Sequence, residues 1–368
     1  MLGKFCVFCG AEHTIKTKEH IIPRWLIELT GDPNRKVYLG RQWLDPGLSE
    51  RSYSLSAFTF PACGMCNKRY AALEADVKTI IESMLSCSPL CASDLDRLLD
   101  WLDKVRTGIW LGMIYLNKNY RGVVPQFHIT SRTAAQDRML VLYRATDSKE
   151  GLGLGGVDTP IFHKMPSCFT LTINHLHILN ISSGFLFSRQ IGFPYPSQRM
   201  FHEDRDEIEI SLSGGTGVVA FPLIPWTIKD GGTAIYQPII PRTMIHAEED
   251  LFGEYYDNGY VRDHCRDFGA GRGKLYQRSG EELREYPSTP SSDWLPQRAF
   301  STHELVSELG IQSGMIQDQL FADIPSMENL SPERRESLQA EIDGVRRLHA
   351  VIMEHFRKQT RMFQFAFR

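Results

Sequence analysis

Long apolar runs are missing from this chain. No stretch of its 368 residues is continuous and apolar enough to cross a bilayer, so a membrane span is not expected. A charged-then-apolar opening is missing too: the start, MLGKFCVFCG, goes straight into a cysteine pair, which argues against a secretory leader. No internal repeat or low-complexity tract occurs, which sets aside solenoids and disordered arms. Nor is there an excess of positive charge. With 41 Lys+Arg against 44 Asp+Glu the net charge is −3, and bulk electrostatics alone does not describe a nucleic-acid binder. What is left is ordinary globular composition, 42% hydrophobic and 23% charged, with length for two or three cores.

Cysteine is what the chain has in a telling pattern. Of eight cysteines, four form two Cys-x-x-Cys knuckles, Cys6/Cys9 and Cys63/Cys66. In a chain without a leader this usage points to a reducing cytoplasm and to metal rather than disulfides. Two close thiolate pairs are what a tetrahedral structural zinc requires. Between the knuckles lies Glu19–His20, and the second runs directly into Asn67. A carboxylate, an imidazole and an amide supply what a single-metal phosphodiesterase needs, namely two oxygen ligands and a base. Charge is distributed to match: residues 1–70 hold 10 Lys+Arg against 6 Asp+Glu, the remainder 31 against 38. Lys16, Lys18, Arg24, Lys68 and Arg69 are candidate contacts to a phosphate backbone, with a solvated basic face as the plain alternative.

Taken together, CVFCG, KEHIIPRWL and CGMCNKRYAALE resemble the HNH, or ββα-metal, nuclease superfamily, in its four-cysteine branch. The resemblance covers about residues 1–75. It implies a structural zinc on Cys6, Cys9, Cys63 and Cys66, and a catalytic Mg²⁺ or Mn²⁺ on Glu19 and Asn67. It also implies His20 as general base and double-stranded DNA as the substrate. Histidine suits that role because its ordinary titration range lets it take a proton from water near neutral pH. Restriction or phage defence is the implied setting, by analogy alone. The chain departs from the pattern in three places. Phe58 stands where the middle asparagine belongs, leaving Asn34 as the asparagine between His20 and Cys63; 53 residues separate Cys9 from Cys63; and Tyr70 replaces a tryptophan. The alternatives are a non-catalytic zinc-dependent nucleic-acid or protein-binding module, and an RNA-directed nuclease.

Pattern along the chain gives an α+β expectation in four parts. Residues 1–86 form the zinc-stabilised nuclease unit, with a helix from Asn67 whose apolar face is Tyr70, Leu73, Val77, Ile80, Ile81 and Met84. Residues 87–118 are a helical linker burying Leu95, Leu98, Leu102, Val105, Ile109 and Met113. Residues 119–300 are β-rich, with strands at Phe127–Thr130, Met139–Tyr143, Cys168–Ile173, His177–Ile181, Ile208–Leu212, Val218–Phe221 and Ala234–Ile240. Residues 301–368 are helical, opened by a Ser301/Glu304 capping box, broken at Gly310, and closed by a long helix from Pro332. A homodimer contact or a regulatory protein partner is expected through residues 119–368. Residues 305–316 spell a weak helix-turn-helix without basic side chains, for which a plain hairpin is the better reading. Glu74 is expected to brace its helix or a neighbouring arginine rather than to bind metal. Cys87/Cys91 are read as small buried thiols, His175/His177 as core or surface histidines and His264–Cys265 as a pair without an identified partner, and the glycine runs at 151–156, 213–217 and 269–273 lack the strand–helix setting of a phosphate loop.

Overall fold

The computed structural model describes residues 5–12, 17–44, 47–54, 59–116, 127–147, 150–202, 207–212, 230–242, 259–279, 282–322 and 332–366. The chain is α+β, as its pattern predicts. A hairpin of β1 (Thr17–His20) and β4 (Thr59–Ala62) is interrupted by α1 (Arg24–Leu29) and a second hairpin, β2 (Lys36–Leu44) with β3 (Gly47–Ser54). Pro23 sits just before α1, where its missing N–H costs nothing. From the second knuckle springs α2 (Gly64–Leu85), and all six residues of its expected apolar face are buried. The helix stops at Ser86 and Cys87, the latter in the left-handed region with φ +58°.

After it comes α3 (Ala92–Leu116), buried on every side from Leu98 to Ile114. The six apolar positions expected to be buried are, and so are Asp100, Asp103, Lys104, Arg106 and Thr107 on the other faces. Charges at such positions require partners. Arg138, fully buried, donates to Asp100 at 2.7 Å, Asp103 at 3.1 Å and Asp96 at 3.2 Å. Arg266 reaches Asp96 and Asp100 at 2.7 Å each, and Arg106 pairs with Asp103.

Arg138 rides on an eight-stranded sheet, whereas Arg106 belongs to α3 itself and Arg266 to a separate short strand. The order of the sheet is β16 (Glu282–Glu285), β15 (Tyr276–Ser279), β11 (Thr233–Gln237), β5 (Asp137–Ala145), β8 (Leu176–Ser183), β7 (Cys168–Ile173) and β6 (Leu152–Gly155). These neighbours are antiparallel, while the short β17 (Ala299–Phe300) lies parallel to β5 beyond the end of β11. Side chains alternate between the two faces of a strand. Along β5, Leu140 and Leu142 join the cluster containing α3, whereas Met139, Val141 and Tyr143 face α7 (Thr302–Ala322) through Leu305, Leu309, Ile316 and Leu320. The layers are thus cysteine-knuckle unit with α2 and α3, then sheet, then α7 with α8 (Pro332–Ala366) outermost. Smaller pieces complete the fold: α4 (Pro160–Lys164), α5 (Leu186–Ile191), the hairpin β9 (Pro196–His202)/β10 (Glu207–Leu212), α6 (Gly259–His264), and β12 (Ile240–Pro241), β13 (Cys265–Asp267) and β14 (Ala270–Gly271). One buried cluster joins Phe8, Tyr70, Leu98, Leu140, Phe169 and Trp294, so a single core passes through residues 1–86, 87–118 and 119–300.

Two expected features are corrected. Gly310 does not break a helix: α7 runs unbroken from Thr302 to Ala322, and with it the helix-turn-helix spelling disappears. A β-carbon on Gly155 of β6 would lie 4.0 Å from the Gly310 Cα, so the helix passes over β6 at this point, while a side chain at Gly310 itself would meet open space. Phe127–Thr130 is not a strand but coil and turn, because its backbone serves the first knuckle, with Thr130 N–H donating to Phe8 O at 2.8 Å. Val218–Phe221 lies outside the described residues.

Candidate metal centre and its hairpin

Local backbone chemistry assembles the four cysteines. The first knuckle closes through Gly10 N–H to Cys6 O at 2.8 Å, with Gly10 at φ +77°. The His128 ring fills the place a Gly10 side chain would need, so glycine is required there twice over. Val7 N–H donates to Pro61 O at 3.0 Å, hanging the knuckle on β4. Cys63 is the N-cap of α2, its sulfur accepting from Cys66 N–H at 3.5 Å, while its own N–H donates to Cys6 Sγ at 3.3 Å.

All four sulfurs lie within 4.8 Å of one another, with Cys9 and Cys63 at 4.0 Å. Tetrahedral thiolate ligation with bonds of ~2.3 Å needs sulfur separations of about 3.8 Å, so the four are positioned to hold one metal ion. The Cys6 thiol is pulled down to about 4, chiefly by a hydrogen bond from the Cys66 thiol and also by backbone N–H groups, burial opposing. The same sharing pushes Cys66 up. Among the described residues this is the one group of three or more Cys, His, Asp or Glu side chains whose ligating atoms converge.

The residues expected to do chemistry lie on the two elements that lead into this centre. Glu19 and His20 end β1, paired across the hairpin with Phe60 and Thr59. As strand neighbours they point to opposite faces: Glu19 is buried and His20 half-buried. Asn67 lies in the first turn of α2, its N–H bonded to Cys63 O at 2.9 Å, so the cysteine centre fixes its position. Three and seven residues further on, Tyr70 and Glu74 occupy the same helix face. Tyr70 is fully buried against Phe8 and Phe268, and its hydroxyl meets Thr133 at 3.2 Å.

Glu19 is engaged inward. Lys104 of α3, fully buried, lies 3.4 Å from Glu19 Oε1, donates to His20 O at 3.0 Å, and bonds Glu74. Glu74 bonds Lys104 on α3 rather than its own helix or an arginine, and burial raises its carboxyl above the ordinary range despite the ammonium. Lys104 escaped sequence reasoning, which placed its face of the helix in a linker. The available signal was Gly108, one turn beyond: a β-carbon there would lie 2.6 Å from Ile21, marking where α3 meets the end of β1.

Of the candidate phosphate contacts, Lys18 and Lys68 are exposed. Arg24 is exposed but paired with Glu28 at 2.7 Å, and Lys16 lies outside the described residues. Arg69 is exposed but engaged, bonded to Phe268 O with its guanidinium 4.0 Å above the Phe268 ring. Asn34 is exposed in the turn after α1, its N–H bonded to Asp32. Phe58 is outside the described residues. No described helix is long and apolar enough to cross a membrane. No family model, curated protein or solved structure matches the chain.

Proposed function

We propose that the chain is a metal-dependent endonuclease of the HNH type acting on DNA. One observation carries this reading: a four-cysteine centre ties a β1–β4 hairpin ending in Glu19–His20 to a helix with Asn67 in its first turn. The centre takes zinc, since four thiolates in a closed tetrahedron suit a structural ion with no open position. Glu19 and Asn67 hold a divalent ion, which when bound neutralises charge on the phosphoryl oxygens. His20, on the accessible side of the hairpin, takes the proton from the attacking water. Lys18 and Lys68 face solvent close in sequence to these groups and contact the backbone phosphates.

Plasmid nicking by wild type and His20→Ala, with Mg²⁺ or Mn²⁺ and with EDTA, tests it. Metal-dependent nicking should fall by about 10²-fold or more in the variant, the usual worth of a general base. Equal activity in both, or inert wild type carrying one zinc per chain, rejects the reading.

The engagement of Glu19 favours one other reading. A carboxylate held by a buried ammonium is what a structural ion triad looks like, and on that basis the zinc unit is a binding module whose Glu19, Lys104 and Glu74 hold it to α3. Nucleic-acid binding without cleavage, unchanged in His20→Ala, supports this second reading. Matched DNA and RNA strands in the same assay establish which polymer is used.

A further inference from the structure

Lys104 stands where three elements of the candidate site meet. Its ammonium has three N–H donors and three acceptors: Glu19 Oε1 and the His20 carbonyl on β1, and Glu74 on α2. With the side chain fully buried, no water competes for those bonds. The acceptors tie down both halves of the site. Two bonds go to the strand that carries the carboxylate and the base. The third goes to the helix face that carries Asn67 two turns earlier.

The bond to Glu19 is one-sided. Oε1 is taken by Lys104, while Oε2 has no hydrogen-bond partner among the described residues. A carboxylate fixed through one oxygen offers the other in a single orientation, which is how outer groups commonly aim a metal ligand. The anchor is also rigid, because α3 is enclosed from Leu98 to Ile114 and Gly108 seats it against Ile21, next to His20.

We propose that Lys104 is the positioning residue of the catalytic metal site, orienting Glu19 and the end of β1 from the central helix. This rests on the nuclease reading above and adds to it that the body of the chain sets the affinity of the site. Charge and position make opposite predictions. If Lys104 mattered only as a nearby positive charge, its removal would tighten binding of a divalent cation at Glu19. If it positions Glu19, removal loosens binding, by about 10- to 100-fold as for other supporting partners of metal ligands.

The test uses the full, zinc-loaded chain and Mn²⁺ alone, with free Mn²⁺ followed by its paramagnetic resonance signal. Wild type, Glu19→Gln, Lys104→Met and Lys104→Gln are compared, each checked for one zinc per chain and for its melting temperature. Weaker Mn²⁺ binding by tenfold or more in a neutral Lys104 variant that keeps zinc supports the proposal. Lys104→Gln, which retains a donor in the same space, serves if the methionine variant loses zinc. Unchanged or tighter binding overturns it and leaves the nuclease reading standing. Identical Mn²⁺ binding by wild type and Glu19→Gln is a different failure: Glu19 then holds no cation, and the metal-site reading falls together with the role of Lys104.

Discussion

Replacing Arg138 by methionine should cost the fold about 3–5 kcal/mol, the usual loss when one partner of a buried ion cluster is removed. The size follows from charge and bonds together. Around α3, Asp96, Asp100 and Asp103 face Arg106, Arg138 and Arg266, three charges against three. Arg138 alone reaches all three carboxylates and also donates to Gln237 at 2.8 Å. Methionine fills much of the space but leaves one negative charge unmatched where Asp100 and Asp103 are fully buried. Against a total stability of about 5–15 kcal/mol, such a loss is large. Urea unfolding followed by the fluorescence of the buried Trp101 and Trp110 measures it. A second substitution isolates the cause, because Asp100→Asn restores charge balance in the Arg138→Met background. The pair should then be less destabilising than the sum of its members by about 1–3 kcal/mol. A loss below about 1 kcal/mol for Arg138→Met, or strict additivity in the pair, would refute the argument from buried charge.

Two further outcomes test packing and protonation. Gly108→Ala, which in an exposed helix would stabilise by up to ~1 kcal/mol, should instead destabilise by about 1–3 kcal/mol because its methyl would lie 2.6 Å from Ile21; an unchanged melting temperature contradicts that contact. Asp137 is fully buried, accepts N–H bonds from Ser188 at 2.7 Å and Ile239 at 2.8 Å, and is pushed by burial from 3.8 to about 6. A raised carboxyl favours the native state below its unfolded value and loses that advantage as pH climbs through about 6. Wild type should therefore lose on the order of 3 kcal/mol relative to Asp137→Asn between pH ~4 and ~6.5, then run parallel to it; a constant difference across that range would refute the assignment.

The knuckles, the α2 face and the helix starts at Pro23 and Pro332 were readable because each depends on residues within a few positions of one another. The strands Cys168–Ile173 and Ile208–Leu212 were readable from local composition for the same reason. Reading failed where distant partners decide. The polar faces of α3 look solvated until Arg138 and Arg266, 38 and 166 residues away, are brought against Asp100. Gly310 reads as a helix end until Leu305, Leu309, Ile316 and Leu320 are buried against the sheet as one helical face, and Phe127–Thr130 as a strand until its backbone is claimed by the first knuckle. For the site, the spacing exposed the four cysteines, Glu19, His20 and Asn67, but not Lys104, whose three acceptors lie 30 to 85 residues from it.

The enclosure of α3 bears on how the chain is made. A ribosome releases the two knuckles and α3 within the first 116 residues, but part of their covering is synthesised much later. Trp294 donates to Ser88 O at 3.1 Å across 206 residues, Tyr286 bonds Leu90 O, and Arg266 supplies charge to Asp96 and Asp100. Until about residue 300 has emerged, that part of the covering is missing. Long-range closure of this kind slows folding and prolongs the exposure of apolar surface. A chain shortened before Trp294 would leave that part of the face uncovered, so completing the core around α2 and α3 depends on residues up to 206 positions further along the chain.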